Sequence, residues 1–412
     1  MASISFLRLR ERAALELRGL CKSSLVMAVN SIKTINLTIA GPEDIGGLNL
    51  LTSIVFQDEF SGTLEVETFN EGLSNHLLRV RFGAGTSKSH IFLVRIHGRT
   101  ADTLVDRNFE ILCLNAYYQL SSAKRLYAVF KNGICYSYIE GSPLPLPCME
   151  EMKYARLVAD ELARFHSIPV EEIIEQSKSF SFFSAHPKKY LFRPTLLQRI
   201  RDWIALLPTE LPTPQETARY CDRYPKPSQW LSEVEYLEQA LKNPCSPLVL
   251  CHGDIFPRNI IVSPDETSVT FIDLEYCSFD HSALDIAGYF CEVSGTASYV
   301  GYGRYPSPEF QREFVAAYLE RLRKYRPVID LNGVNGRSEN EETENLRNKE
   351  IDRWVREADY FALACHMLWS IWAAIRTTNA QKEYDFLYCA ITRANAYFGM
   401  KKRLMEADQP LQ

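Results

Sequence analysis

Val249-Leu250-Cys251-His252-Gly253-Asp254-Ile255-Phe256-Pro257-Arg258-Asn259-Ile260-Ile261-Val262 is an apolar run, a tight His-Gly-Asp loop, a turn containing proline and a second apolar run. After Ser263-Pro264-Asp265-Glu266 the chain returns with a third apolar run, 269–272, and ends it on Asp273-Leu274-Glu275. The β-branched runs predict short strands, and the Ser-Pro-Asp turn predicts that the last two form a hairpin. Such a hairpin folds Asp273 back beside Asn259. One amide oxygen and one or two carboxylate oxygens suit Mg²⁺, a hard cation that keeps several waters and is usually shared with substrate phosphates. Asp254 is then left to orient and deprotonate a hydroxyl nucleophile. Polar residues near turns often do no more than cap them. Here the His-Gly-Asp loop, Asn259, both strands, the turn and the closing Asp273 occur together and in order, which favours phosphoryl transfer. His252 reads as bracing the loop, with Asp285 bracing it from the start of a helix.

Upstream, the period of the sequence changes. Apolar residues recur at helical spacing over 47–56, and 64–68, 76–82 and 90–97 then read as strands rich in β-branched and aromatic residues. A helix is expected over 106–120, followed by a strand pair, 125–130 and 134–139, across Lys131-Asn132-Gly133. Residues 41–141 are therefore expected to form a β-rich lobe carrying one helix, closing at the hinge-like Glu140-Gly141-Ser142-Pro143. Phosphoryl transfer also needs groups over a triphosphate. The turn Asn70-Glu71-Gly72-Leu73-Ser74-Asn75 offers backbone N–H groups and small side chains. Arg95, a basic residue on an otherwise apolar strand, is placed to reach phosphate, with Glu110 or Asp106 as its partner.

Downstream the signal is helical. Ala155, Val158, Leu162 and Phe165 put one apolar stripe on a helix. The stretches 177–194 and 208–227 read as loop-rich, and the polar, acidic 332–350 reads as a solvated insert between helices. Residues 142–412 are expected to form a mainly helical lobe. Residues 1–40 read as an extension, basic up to about Lys33 but interrupted by Glu11 and Glu16, a poor match to an import presequence.

Composition narrows the partners. The chain has 412 residues, 46% of them hydrophobic, and a net charge of −5, which suits two lobes with real cores and argues against a large nucleic-acid footprint. The eleven cysteines are scattered without a Cys-x-x-Cys, so reduced thiols in the cytoplasm are expected. No zinc or calcium motif is present, and no apolar run of about twenty residues reads as a membrane span.

From Phe69 to Phe398 the text resembles the ethanolamine kinase branch of the choline/ethanolamine kinase family, itself similar in fold to aminoglycoside phosphotransferases and protein kinases. The resemblance is carried by Glu71-Gly72-Leu73-Ser74-Asn75, Leu93-Val94-Arg95-Ile96, Leu104-Val105-Asp106-Arg107 and the stretch from Asn132 through Tyr138-Ile139-Glu140-Gly141. It is strongest in Phe271-Ile272-Asp273-Leu274-Glu275-Tyr276, Phe290-Cys291-Glu292 and Leu368-Trp369-Ser370-Ile371-Trp372. It implies an α+β, bilobal protein-kinase-like fold with an antiparallel β-sheet N-terminal lobe and a mainly helical C-terminal lobe. It implies an ATP- and Mg²⁺-dependent kinase (Mn²⁺ substituting) that makes phosphoethanolamine, and leaves a homodimer open. By resemblance Asp254 is the catalytic base, and Asn259 and Asp273 are metal ligands, with Glu275 a ligand to a second metal. ATP would meet Gly72, Ser74, Asn75, Arg95, Glu110, Tyr138 and Ile139. The amine would lie by Asp254, Tyr276, Glu292, Trp369 and Trp372; a cation is attracted to indole faces and carboxylates.

By resemblance, ethanolamine is favoured over choline. Glu292-Val293-Ser294-Gly295 is similar to the Glu-Phe-Ala-Gly of ethanolamine kinases and lacks the tryptophan that follows this glutamate in choline kinases, and Phe256 stands where choline kinases tend to have glutamine. A quaternary ammonium wants an aromatic cage, whereas a primary one has three N–H donors to satisfy. Choline or an antibiotic-like amine is the alternative substrate. A non-catalytic binding module is the other reading, disfavoured because Asp254, Asn259 and Asp273 are all retained. The chain departs from the family at Gly253, where asparagine is usual, and at Cys389, where a tyrosine lines the substrate site and Tyr388 falls one position early.

Overall fold

The computed structural model describes residues 32–60, 63–69, 75–83, 89–97, 104–121, 124–169, 194–295, 305–326, 341–379 and 384–407. Contacts divide the chain at Glu140/Gly141 into two compact units.

The first unit contains strand β1 (Lys33–Ile35), helix α1 (Ile45–Phe56), strands β2 (Glu65–Phe69), β3 (Asn75–Phe82) and β4 (His90–His97), helix α2 (Arg107–Gln119), and strands β5 (Leu126–Phe130) and β6 (Gly133–Ser137). They form one six-stranded sheet in the order β1-β5-β6-β4-β3-β2. All its pairings are antiparallel except β1 with β5, which is parallel. Alternation along the strands sorts the two faces. Leu78, Val80 and Phe82 of β3 and Phe92, Val94 and Ile96 of β4 share one face and are buried with Leu48 and Leu51 of α1. Arg95 therefore lies on the opposite face from Val94 and Ile96.

The second unit begins with strand β7 (Ser142–Pro143) and helix α3 (Met152–Phe165), followed by helices α4 (Leu196–Ile204), α5 (Pro214–Arg223) and α6 (Pro227–Ala240). Strands β8 (Leu248–Cys251), β9 (Ile260–Val262), β10 (Val269–Phe271) and β11 (Ser278–His281) come next. Helices α7 (Ala283–Val293), α8 (Pro308–Tyr325), α9 (Glu341–Arg376) and α10 (Phe386–Ala407) complete it. Ala155, Val158, Leu162 and Phe165 are all fully buried, each larger side chain contributing about 1.5–3 kcal/mol of burial.

Two expectations need correction. Residues 208–227 are not all loop, because Thr213 and Glu216 form a reciprocal capping box that starts α5, with Pro214 at its first turn. Residues 341–350 are helical and not an insert between helices: they are the first turns of α9, exposed to solvent at 344–349 as expected, with Glu350 buried and paired with Arg323 of α8. The apolar text around Met367 reads as a buried helix and is one: it lies in Glu344–Arg376, which by length and composition alone could cross a membrane. Some 72% of its apolar window is buried inside the protein, so its apolar side chains serve the core. The N-terminal extension up to residue 31, the stretch 177–193 and residues 332–340 lie outside the described residues.

Candidate active site

The site is built on β9 and β10, which pair antiparallel with Ile260 opposite Phe271. Ile272 N–H extends the ladder by donating to the Asn259 carbonyl at 2.9 Å. Asp273, the next residue, has left-handed backbone (φ 62°, ψ 71°), a conformation that aspartate tolerates better than most residues and that clusters at functional sites. The chain then turns through Leu274–Tyr276 as a short 3₁₀ helix, leaving Asp273 and Glu275 partly open to solvent.

The loop before β9 is held from below. Asp285, near the start of α7, accepts from the backbone N–H of His252 at 2.6 Å and of Gly253 at 2.8 Å. Burial alone would push the Asp285 carboxyl up; the bond from His166 and the nearby imidazoles outweigh it and hold the group low. His166 Nε2 thus donates to Asp285 at 3.0 Å, leaving Nδ1 to accept from Tyr318 Oη at 2.8 Å. Cys251 completes a buried trio with His166 and Asp285 whose ligand atoms lie within 4.8 Å of one another; the hydrogen bonds of the histidine and aspartate make this cluster a brace for the loop. His252 is fully buried, donates from Nε2 to the Ile272 carbonyl at 3.0 Å and accepts the Asp254 N–H at Nδ1, and burial lowers its pKa. It ties the loop to the hairpin.

Gly253 has φ +80°, and a Cβ there would come 2.5 Å from the Tyr276 carbonyl oxygen. Only glycine lets the loop close on the turn after Asp273 without strain.

Asp254 projects from this loop half-buried, accepting from the Asn259 side-chain amide at 2.9 Å. Its carboxyl lies well above the usual carboxylate range, first because it is desolvated and then because Asp273, Glu292 and Glu275 add negative charge. Four carboxylates therefore share one field. Beside them Tyr276, itself buried, accepts from Trp372 Nε1 at 2.8 Å and meets Trp369 edge-on at 5.1 Å. Trp369 and Trp372 are perpendicular at 5.7 Å, and the Arg376 guanidinium covers one face of Trp372 at 5.5 Å.

In the first unit, Arg95 pairs with Glu110 of α2, whose other oxygen accepts from Arg107 at 3.0 Å. Asp106, the alternative partner, instead caps α2, accepting from Asn108 and Phe109 N–H at 3.1 Å. Asn75 opens β3, and Tyr138 and Ile139 follow β6, both half-buried. Gly72 and Ser74 lie outside the described residues.

A model of the choline/ethanolamine kinase family matches residues 66–398. The chain belongs to that family. It is accordingly a phosphotransferase. Ethanolamine kinase 1 of Mus musculus is 29% identical over 345 residues, 84% of this chain and 86% of that protein. The probable ethanolamine kinase of Nematostella vectensis is 30% identical over 342 residues, 83% and 89% of the two chains. Among solved structures, an ethanolamine kinase of Plasmodium vivax superposes with TM-score 0.67 at 21% identity, over 87% of this chain and 89% of that one. A choline kinase of Cryptosporidium parvum gives 0.62 at 21%, over 87% and 96%. The fold of this choline/ethanolamine kinase family member is thus protein-kinase-like.

Sequence reading of this kinase missed two residues that contact Tyr276 and Glu292. Trp203 of α4 meets Tyr276 edge-on at 6.3 Å. Arg393 of α10 pairs with Glu292, and its signal was a single basic residue at helical spacing with the buried Cys389 and Tyr397. On the same helix Cys389 is buried while Tyr388 is 48% exposed, since adjacent helical positions diverge by about 100°. Tyr388 therefore does not take the place of the usual tyrosine.

Proposed function

We propose that this kinase transfers the γ-phosphoryl group of ATP to the hydroxyl of ethanolamine, giving phosphoethanolamine for phosphatidylethanolamine synthesis. Ethanolamine kinase 1 of Mus musculus and the probable ethanolamine kinase of Nematostella vectensis are each similar over more than four-fifths of the chain. The observation that carries the reading is that Asp254 shares one field with Asp273, Glu275 and Glu292, next to the aromatic wall of Tyr276, Trp369 and Trp372.

Glu292 and the indole faces attract the ammonium end of the substrate. Asp254, aimed by Asn259, takes the proton of the hydroxyl as its oxygen bonds to the γ-phosphorus, and the bond from that phosphorus to the bridging oxygen breaks to release ADP. Arg95 offsets phosphate charge. Asp273, Glu275 and the amide oxygen of Asn259 are hard donors; burial first, and then the negative charge of Asp273, Glu292 and Glu275, lifts the Asp254 carboxyl, and a divalent cation would offset that charge, so these residues fit Mg²⁺. When bound, the ion neutralises charge on the phosphates. None of the ten cysteines among the described residues is in a disulfide, which suits the cytosol.

The test is an ADP-release assay with ethanolamine, choline and an aminoglycoside as acceptors. The expected result is the highest kcat/KM for ethanolamine. A value for choline equal to or above it overturns the assignment.

A further inference from the structure

Glu292, on α7, is 7% exposed, and its Oε1 accepts from Nη2 of Arg393 on α10, itself 3% exposed. Nη1 of Arg393 also faces Nδ1 of His366 on α9 at 3.4 Å. A guanidinium has donors only, so Nδ1 is the unprotonated nitrogen of that ring, and the Nε2–H points to Cys291 Sγ at 3.6 Å. The ion pair is thus fixed from three helices. Two of its buried atoms have no hydrogen-bond partner: Oε2 of Glu292 and Nε of Arg393.

A buried carboxylate oxygen without a donor is costly, and native proteins keep few of them. Glu292 also contributes negative charge at Asp254, so the orphan acceptor belongs to a carboxylate that already acts on the proposed base. Burial pushes the Glu292 carboxyl up, and Arg393 is the main charge opposing that. A bidentate guanidinium would satisfy both oxygens. Here the arginine takes one oxygen, turns its second nitrogen to His366 and leaves the other oxygen available.

We propose that Arg393 is a positioning residue for amine recognition: by pinning Oε1 of Glu292 it presents Oε2 as the acceptor for an N–H of the substrate's primary ammonium. The inference rests on the ethanolamine reading above. It differs from a purely structural role, in which Arg393 would only staple α7, α9 and α10 together.

The test compares wild type with Arg393→Lys, Arg393→Met, Glu292→Gln and the double variant Glu292→Gln/Arg393→Met, measuring KM for ethanolamine, KM for ATP and kcat. Loss of a charge-assisted hydrogen bond predicts that Arg393→Met raises the ethanolamine KM on the order of ten- to a hundred-fold. The ATP KM should stay within about two-fold. Arg393→Lys, which keeps the charge and loses the fork, should give an intermediate rise. In the Glu292→Gln background Arg393→Met should add nothing, because the two residues act as one. An unmoved ethanolamine KM in Arg393→Lys and Arg393→Met, or equal losses toward both substrates, overturns the proposal. If Arg393→Met does not fold, Arg393→Lys decides by the same two KM values. Absence of ethanolamine turnover by the wild type would instead reject the substrate reading.

Discussion

Asn259 donates from one side-chain nitrogen to two oxygens of Asp254, the carboxylate at 2.9 Å and the backbone carbonyl at 3.1 Å. The asparagine therefore sets both where the loop sits and where the carboxylate points, and its amide oxygen is the end that remains for a cation. A single residue links the proposed base to the proposed metal site.

Asp254→Asn keeps size and shape but cannot take a proton. Positioned bases contribute about 10²- to 10⁴-fold, so kcat should fall by that much. The ATP KM should stay within about two-fold, since the nucleotide contacts proposed here lie on other residues. Steady-state kinetics at saturating ethanolamine read both values, and near-normal turnover would remove Asp254 from the mechanism.

Gly253 stands where the family usually has asparagine, and the geometry makes this departure hard to reverse. Its φ of +80° would cost an L-residue strain, and any Cβ would press on the Tyr276 carbonyl at 2.5 Å. Gly253→Asn and Gly253→Ala should each lower stability by about 1–3 kcal/mol. They should also lower kcat, because the displaced loop carries Asp254. Denaturant midpoints and turnover of the two variants check this.

The part of the fold that the sequence displays best is the part with the most regular local chemistry. The runs that become β8, β9 and β10 are apolar, β-branched and bounded by turn residues, and the Ser-Pro-Asp turn leaves little choice of register. β11 was not visible, because Ser278-Phe279-Asp280-His281 has no alternation: three of the four are buried, and pairing with β8 supplies the order. β1 is three residues long, too short for any period. The α5 helix did have a local signal, Thr213-Pro214-Gln215-Glu216, overlooked amid the prolines around it. At the site, Asp254, Asn259 and Asp273 lie within twenty residues and could be read as a set. The Glu292–Arg393 pair spans 101 residues and depends on how three helices pack, which no local pattern records.

His97 ends β4 with a buried Nε2 that has no partner, and its pKa is lowered to about 3 by burial, then by Arg95 and Arg107. In the unfolded chain it titrates near its usual value of about 6.5. Between those values the unfolded state binds the extra proton, so this residue's contribution is complete above about pH 6.5 and is lost as pH falls toward about 3. His97→Gln should flatten the stability profile across that window. Urea titrations of both proteins at several pH values test it; equal slopes would mean that His97 is protonated in the folded state.

Divalent cation should stabilise the protein through Asn259 and Asp273. Without a cation, burial and then the negative charge of Asp273, Glu292 and Glu275 raise the Asp254 pKa, so the carboxylates there repel one another. A ligand that binds only the folded state raises stability by about 2.7 kcal/mol at a hundred times its Kd. Mg²⁺ or Mn²⁺ should therefore raise the Tm of the wild type, and the Asn259→Ala/Asp273→Ala double variant should show little or none of that rise. The double variant removes one of the mutually repelling carboxylates, so without metal it should remain folded, with a Tm no more than a few degrees below wild type. A thermal titration reads both quantities, and an equal metal-dependent rise in the two proteins would place the cation on other residues.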